Sequence, residues 1–283
     1  MTDIAFVGAG NMARSLIAGL RASAKEPLAV RVSDANAAAL EALQTEPEFG
    51  ATEFFSLTTL PDNRSVCDAA DVVVLAVKPD VVRAVCGDIA AVVTDNTLVI
   101  SVAAGIRIGD MQRWLQRDAA VVRCMPNTPA LYGFGSSGLF AAPGVSDAQR
   151  QLAQTMLGAV GICRWLESEV ALDAITALSG SGPAYFFHLI ECMAATAEEM
   201  GIDAETASAF ATETAYGAAY MARHGTDSPT LLRQKVTSKG GTTAAALATF
   251  AEHDFPAIVS RAMQAAADRA DELGELLGND SNT

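Results

Sequence analysis

Basic residues are scarce in this sequence. Its 283 residues include 19 Lys and Arg against 33 Asp and Glu, which gives a formal net charge of −14 at pH 7. Binding to a nucleic-acid backbone or to an acidic membrane surface depends on clustered Lys and Arg. We therefore expect neither nucleic acid nor a membrane as a partner.

Long apolar runs are also lacking. No uninterrupted stretch approaches the roughly 18 to 20 residues that span a membrane. Residues 1–6 show neither the basic start nor the apolar run of a signal peptide. A cytoplasmic location is the expectation.

Cysteine and histidine are few and scattered. There are three histidines, and the five cysteines are widely separated, with no Cys-x-x-Cys pair. Disulfide frameworks and structural zinc sites need closely paired ligands. We predict that the cysteines are small apolar side chains and that no metal ion is bound.

Two halves of the sequence differ in their apolar pattern. Up to about residue 165, short β-branched runs alternate with Ala-rich stretches, and strands are predicted at 4–7, 28–33, 72–77, 97–102 and 121–124. A continuous apolar run such as 71–77 is typical of a parallel strand covered on both faces. The first half therefore predicts an α/β domain with a mostly parallel, doubly wound sheet over 1–165.

The second half, residues 166–283, is predicted to be helical. Residues 184–200 and 207–222 are apolar almost all round. Such helices are buried on more than one side, which a short domain achieves most simply against a second subunit.

A glycine-rich motif follows the first predicted strand and opens a helix that continues to Leu20. Gly8 allows a tight turn, Gly10 lets the backbone approach a pyrophosphate, and Ala13 allows the helix to pack closely on the strand. The motif predicts a dinucleotide site in a Rossmann domain. Its residues are Gly8, Ala9, Gly10, Asn11, Met12 and Ala13.

Three further strand ends point to the same crevice, because ligands of open α/β sheets bind beyond the carboxyl ends of strands. Asp34 stands where an acidic residue holds the ribose hydroxyls of NAD, whereas Ser33 and Asn36 could bind the phosphate of NADP, so both NADH and NADPH remain open. Small residues after the fifth strand would let a nicotinamide ring pack close to the backbone. The remaining predicted cofactor residues are Ala76, Val77, Lys78 and Pro79 after the fourth strand, and Ala103, Ala104 and Gly105 after the fifth.

The sequence resembles the pyrroline-5-carboxylate reductase family over essentially its whole length. The motifs that carry the resemblance lie at 8–13, 76–79, 123–130, 178–185 and 236–243. The last is the most specific, since a serine, two glycines and paired threonines lead into a predicted helix at 244–251. The resemblance implies a Rossmann domain followed by an all-α C-terminal dimerisation domain. It also implies reduction of 1-pyrroline-5-carboxylate, a cyclic imino acid, to L-proline by NADPH or NADH, the last step of proline biosynthesis.

The loop in the last motif has the chemistry that such a substrate needs. Gly240 and Gly241 offer backbone N–H groups at a helix N-terminus, which suit a carboxylate. The resemblance places Ser238, Thr242 and Thr243 around the substrate, with Ser238 and Thr242 catalytic and Thr242 hydrogen-bonded to the imine nitrogen. A simple Ser/Thr helix cap is the alternative explanation of these hydroxyls.

Other site residues are implied by the resemblance alone. Asn63, Ala76, Lys78 and Pro79 would contact the cofactor, and Glu169 and Lys235 would lie at the substrate or nicotinamide side. Lys239 departs from the pattern, because the family often has Pro before the two glycines. The resemblance also implies a homodimer through the C-terminal helices, assembled further into a larger ring such as a decamer.

Two other classes of function stay open, namely a different reductase and a module without turnover. A related imine reductase or a β-hydroxyacid dehydrogenase-like enzyme would share this architecture, but the latter ordinarily places a catalytic Lys, Asp or Tyr on the first long helix after the Rossmann domain, where this chain has no Lys. A nucleotide-sensing module without turnover is the alternative outside enzymes, and the polar loop at 238–243 argues against it.

Overall fold

The computed structural model describes residues 1–279 and divides the chain into two compact units. Unit 1 comprises Met1–Gly180 together with the chain from Ala266 onward, and unit 2 comprises Ser181–Ala265. The predicted domains, 1–165 and 166–283, divide the chain at a different place and include residues 280–283, which lie outside the described part. The segment after residue 165 belongs to unit 1 because its apolar side chains, such as Leu172 and Ala177, are buried there.

Unit 1 is built on one eight-stranded sheet of order β3-β2-β1-β4-β5-β6-β7-β8. All neighbouring strands are parallel except β6 and β7, which are antiparallel. This confirms the predicted mostly parallel sheet. The strands are β1 Thr2–Val7, β2 Leu28–Ser33, β3 Phe55–Thr59, β4 Val72–Leu75, β5 Leu98–Ser101, β6 Ala120–Met125, β7 Gly135–Ala141 and β8 Gly161–Trp165.

Helices cover the sheet of unit 1. The first helix, α1 at Asn11–Ser23, buries Leu16, Ile17 and Leu20. These residues lie on one face of the helix, because Leu20 follows Leu16 by four residues and Ile17 by three. Every residue of β4 and β5 is buried, as expected for central strands covered on both sides. The other helices are α2 Ala37–Thr45, α3 Asn63–Cys67, α4 Pro79–Ile89, α5 Ile108–Leu115, α6 Asp147–Gly158 and α7 Ala171–Ile175. A π-helical turn follows α7 at Thr176–Gly180.

The order of the strands fixes where a ligand can bind. Chain connections run from β1 through β2 to β3 on one side and from β4 onward on the other, so the direction of winding reverses between β1 and β4. The register aligns Val7 with both Ser33 and Leu75, which brings the carboxyl ends of β1, β2 and β4 level. Such a reversal leaves a crevice beyond the strand ends.

Unit 2 is entirely helical. Its helices are α8 Gly182–Glu199, α9 Ala204–His224, α10 Pro229–Lys235 and α11 Thr242–Glu252, followed by the first part of α12 Phe255–Gly278. The predicted helices at 184–200 and 207–222 are thus confirmed, within a few residues at each end.

The helices of unit 2 bury little within the single chain. Only Gly182 of α8 and Ala207 and Ala211 of α9 are buried, whereas Phe187 is 66% exposed and Phe210 is 72% exposed. The expected burial on more than one side is therefore not achieved by these described residues alone. Across residues 1–279, no helix combines the length and the apolar composition needed to cross a membrane.

Four cysteines are buried as predicted, namely Cys67, Cys86, Cys124 and Cys163. Cys192 on α8 is exposed in the single chain.

Candidate functional site

In the glycine-rich turn between β1 and α1, three motif positions differ in their steric surroundings. Gly8 has φ +104°, and a Cβ there would lie 2.5 Å from the carbonyl oxygen of Ala76. Gly10 is the N-cap of α1, and a Cβ at Gly10 would enter open space. Ala13 is fully buried. No side chain caps α1, so the N–H groups of its first turn point free of the protein, as an anion site requires.

A cleft of about 560 Å³ opens beyond the ends of β1, β2 and β4. It brings together most of the predicted cofactor residues, from the glycine turn and from the ends of β2 and β4. Those that line it are Gly8, Gly10, Ser33, Asp34, Asn63, Ala76, Val77 and Lys78, and the other lining residues include Pro61, Asp62, Val81 and Asp88.

Asp34 is fixed at the rim of this cleft by backbone groups. Its Oδ2 accepts a hydrogen bond from the N–H of Ala9 at 2.7 Å, and its Oδ1 accepts one from the N–H of Asn36 at 2.7 Å. The carboxylate therefore connects the end of β2 to the glycine-rich turn. This gives Asp34 a structural role beside the predicted contact with a ribose.

Ser33 and Asn63 form a second polar contact in the cleft. The Ser33 hydroxyl donates to Oδ1 of Asn63 at 2.8 Å, and Nδ2 of Asn63 donates to Oδ2 of Asp88 at 3.2 Å. Ser33 is also buried. Its hydroxyl proton is donated to Asn63, so binding of a phosphate by Ser33 would require this hydrogen bond to break.

The segment after β5 does not line the cleft. Gly105 has φ +80°, and a Cβ there would lie 3.2 Å from the backbone nitrogen of Gly274 on α12. Its small size is thus required by helix packing within unit 1. The contact of Ala103, Ala104 and Gly105 with a nicotinamide ring stays a prediction.

Of the remaining predicted residues, Asn11 and Met12 lie in the first turn of α1, and Pro79 follows Lys78 as the first residue of α4.

Glu169 lies in a cluster of charged groups within unit 1. Its Oε1 accepts hydrogen bonds from the N–H of Ile108 at 2.7 Å and from Nη1 of Arg123 at 2.8 Å. The neighbouring Asp173 carboxylate lies 3.5 Å from Arg107, which also pairs with Asp271. Burial raises the pKa of Asp173 against the opposing effect of Arg107 and Arg123.

Sequence reasoning missed this cluster. The signal for it was Arg123, a charged side chain within an apolar strand, since a buried guanidinium requires a carboxylate partner. The predicted contact of Glu169 with substrate stays a prediction.

The loop from Ser238 to Thr243 connects α10 to α11 in unit 2. Gly240 has φ +74°, and the N–H of Gly241 donates to the carbonyl of Ser238 at 3.1 Å. A Cβ at Gly241 would collide with Oγ of Ser238. The positive φ thus favours glycine at 240, whereas the close contact at Gly241 is with a side-chain oxygen that can rotate away.

The hydroxyl groups of this loop are not used as helix caps. Gly241 is the N-cap of α11 and no side chain caps the helix, so the Ser/Thr cap explanation is wrong. Within residues 1–279, the hydroxyls of Ser238, Thr242 and Thr243 have no hydrogen-bond partner. The loop therefore offers three hydroxyls and the first N–H groups of α11. Lys235, by contrast, pairs with Asp227 at 2.5 Å.

No cluster of His, Cys, Asp and Glu that could hold a metal ion occurs among the described residues.

Comparison with known proteins identifies the family. A family model for pyrroline-5-carboxylate reductase dimerisation matches residues 167–273, and a model for coenzyme F420-dependent NADP oxidoreductases matches residues 3–105. The chain is 46% identical to a pyrroline-5-carboxylate reductase of Pseudomonas aeruginosa, over 97% of this chain and 98% of the relative. It is 35% identical to one from Glycine max, over 95% of each.

Solved structures agree. A pyrroline-5-carboxylate reductase from Coxiella burnetii superimposes with a TM-score of 0.87 at 38% identity, over 96% of this chain and 98% of that chain. A Plasmodium falciparum pyrroline carboxylate reductase with NADP bound matches with a TM-score of 0.79 at 25% identity, over 96% and 98%. The glycine turn, the level strand ends and the unpartnered Ser/Thr loop thus lie in a chain that belongs to the pyrroline-5-carboxylate reductase family.

Proposed function

We propose that this protein reduces 1-pyrroline-5-carboxylate to L-proline with NADH or NADPH, the last step of proline biosynthesis. The observation that carries the proposal is the loop at 238–243, whose hydroxyls and helix N-terminus are unpartnered within the described residues of a chain that also has a dinucleotide cleft. Family membership supports the same reaction.

The cleft fits a dinucleotide on steric and electrostatic grounds. The free N–H groups of α1 and the open space at Gly10 would hold a pyrophosphate, and Asp34 would accept hydrogen bonds from ribose hydroxyls. Lys78 supplies a positive charge in the same cleft. When bound, the reduced nicotinamide supplies the hydride that adds to the carbon of the C=N bond.

The loop at 238–243 is assigned to the substrate. The N–H groups at the start of α11, with the hydroxyls of Ser238 and Thr243, would hold the carboxylate. Thr242 would donate a hydrogen bond to the lone pair of the neutral imine nitrogen. As hydride adds to the carbon, the π electrons of the C=N bond move to this nitrogen, which takes one proton from water through the Thr242 hydroxyl and becomes a secondary amine. Because the hydride comes from the cofactor, positioning is the other main contribution of these residues.

Site-directed variants with steady-state kinetics test this assignment. We expect the wild-type protein to oxidise the reduced nicotinamide when 1-pyrroline-5-carboxylate is added, followed by its absorbance. Thr242→Val removes only the hydroxyl and should lower kcat by about 100-fold or more, whereas Thr242→Ser should retain most activity. Thr243→Val is the matched comparison, and we expect it mainly to raise KM. A large kcat loss in Thr243→Val alone would move the imine contact to Thr243.

Substrate variation separates the proposed reaction from its alternatives. A cyclic imine without the carboxylate should be a poor substrate if the loop holds that group. Equal rates with and without the carboxylate would favour a broader imine reductase, and oxidation of β-hydroxyacids would favour the dehydrogenase alternative. Nucleotide binding with no turnover of any of these substrates would indicate a sensor.

We also propose a homodimer through the helices of unit 2. The exposed aromatic side chains Phe186, Phe187 and Phe210 support it, as does the match to a dimerisation family model. Light scattering should give a mass of at least two chains, and a ring such as a decamer would give a higher multiple of two. Phe187→Glu combined with Phe210→Glu should shift the mass toward one chain. A monomeric wild-type protein would contradict the proposal.

We further propose a cytoplasmic location. We also propose that nucleic acid is not a partner, which the net charge of −14 supports. Fractionation of cells that express the tagged protein tests the location.

A further inference from the structure

Membership of the family leaves the choice of nicotinamide cofactor open, although the Plasmodium falciparum relative has NADP bound. We propose that this cleft selects NADH over NADPH, and that the carboxylate of Asp34 is the residue that determines the selection. The inference rests on the proposed function only in taking the cleft as the site of the hydride donor. Its support comes from the charges and hydrogen bonds around the end of β2.

The carboxylate of Asp34 is held in place before any ligand binds. One oxygen accepts from Ala9 and the other from Asn36, both at 2.7 Å. A carboxylate oxygen has two lone-pair sites, so each can accept one more hydrogen bond. Ribose hydroxyls carry protons to donate there. A 2′-phosphate at neutral pH offers mainly negative oxygens, which Asp34 would repel.

Two other acidic side chains add to the negative charge of the cleft. Asp62 lines it and accepts hydrogen bonds from the N–H and hydroxyl of Ser65, which lower its pKa. Asp88 lines it as well and pairs with Arg64 at 2.9 Å. Arg64 donates to the carbonyl of Asp88 through the same Nε and does not itself line the cleft.

The basic groups that could neutralise a 2′-phosphate are elsewhere or engaged. Among the described residues that line the cleft, Lys78 is the one cation. It follows β4, and because β1 lies between β2 and β4, strand spacing separates their ends by about 10 Å. Arg31 on β2 lies 3.3 Å from Asp3, donates to the carbonyl of Ser65 and does not line the cleft.

The two neutral groups considered for the phosphate are placed differently. The Ser33 hydroxyl donates to Asn63, and Asn36, whose Oδ1 accepts the N–H of Ala38 at the start of α2, does not line the cleft. Sites that accept a 2′-phosphate usually supply an arginine close to the end of β2, often with bidentate hydrogen bonds. Here the corresponding position presents a fixed carboxylate.

The test compares NADH and NADPH in both turnover and binding. We expect kcat/KM with 1-pyrroline-5-carboxylate to favour NADH by about tenfold or more, and the dissociation constants from nicotinamide fluorescence to differ in the same direction. Asp34→Asn keeps an oxygen for the N–H of Ala9 and removes the charge. It should reduce the preference for NADH by about tenfold, mainly by tightening NADPH.

Two further variants make the test specific. Asp62→Asn removes a second charge of the cleft and should weaken the preference less than Asp34→Asn. Asp68→Asn removes an exposed carboxylate at the end of α3, outside the cleft, and should leave the preference unchanged. A wild-type protein that prefers NADPH, or a preference unaltered in Asp34→Asn, would overturn the inference.

The binding measurement keeps this inference separate from the proposed reaction. Tighter binding of NADH than NADPH without reduction of the imine would uphold the role of Asp34 and refute the reaction. Faster reduction with NADPH would uphold the reaction and refute the selection.

Discussion

Oε1 of Glu169 lies 2.8 Å from Nη1 of Arg123 and supplies the charge partner of a guanidinium that is 3% exposed. The same oxygen accepts the N–H of Ile108, the first residue of α5. One carboxylate thus connects β6, the start of α5 and the segment before α7. Its removal would leave a buried guanidinium without its hydrogen-bonded carboxylate and a helix N–H without its acceptor.

We therefore expect Glu169→Ala to lower the free energy of unfolding by about 2–3 kcal/mol, less than a fully buried pair because Glu169 is 23% exposed. Urea unfolding measures the change. Glu167→Ala is the control, since Glu167 is exposed and precedes the same helix. Normal stability of Glu169→Ala with a raised KM for substrate would instead support the role that the family resemblance implied.

Two glycines of the same motif should behave differently on substitution. Gly8→Ala forces a Cβ to 2.5 Å from a backbone oxygen at positive φ, and should cost about 3 kcal/mol of stability. Gly10→Ala meets no atom of the chain and should change stability by less than about 0.5 kcal/mol. It should nevertheless weaken dinucleotide binding, because its methyl group occupies the approach of the pyrophosphate. Thermal unfolding and cofactor titration of both variants check this, and equal stability losses would contradict it.

Substitutions of two helical glycines by alanine should change the stability of the protein in opposite directions. Gly87→Ala in α4 meets nothing within 4 Å and should stabilise the protein by about 0.5–1 kcal/mol through helix propensity. Gly274→Ala in α12 places a Cβ 2.6 Å from the carbonyl oxygen of Gly105, and should destabilise by about 1–3 kcal/mol. Urea midpoints of the two variants decide the matter, and a stabilising Gly274→Ala would show that α12 does not pack closely on Gly105.

Buried thiols should make the protein sensitive to alkali. Burial raises the pKa of Cys67 and Cys86 from 9.0 to about 12. Between these values the unfolded chain loses thiol protons that the folded chain retains, so stability falls as pH rises, by about 1.4 kcal/mol per pH unit for each thiol.

The slope of stability against pH, measured by urea unfolding from pH 8 to 10.5, tests this effect. Cys67→Ala and Cys86→Ala should each reduce the slope above pH 9, and the double variant should reduce it by the sum. An unchanged slope in the double variant would exclude these thiols as its source.

Local patterns predicted much of unit 1, because its central strands are continuous apolar runs and its cofactor turn needs glycines at fixed positions. The strands β3, β7 and β8 were not predicted. In β7 the sequence Gly-Ser-Ser-Gly has low strand propensity, and Gly135 is required by the neighbouring backbone at Val160 rather than by its own preference. Such strands are determined by their neighbours in space.

The charged cluster around Glu169 could not be predicted for a related reason. Its carboxylate lies 46 residues from Arg123 and 61 residues from Ile108 in the chain. A single sequence signals that Arg123 needs a partner without identifying which one. For Asp34, the position directly after β2 predicted a contact with a ribose. The hydrogen bond that its carboxylate accepts from the N–H of Ala9 could not be predicted from the sequence.

The chain leaves unit 1 after Gly180 and returns to it at Ala266. Gly274, which packs on Gly105, and Gly278, whose carbonyl accepts from Arg113, are therefore among the last described residues to be synthesised. During translation, a nascent chain can form the strands of unit 1 early, but this helix can pack on them only after all of unit 2 has left the ribosome. A protein truncated after unit 2 would lack part of the cofactor domain as well, so the two halves cannot be separated by a single cut.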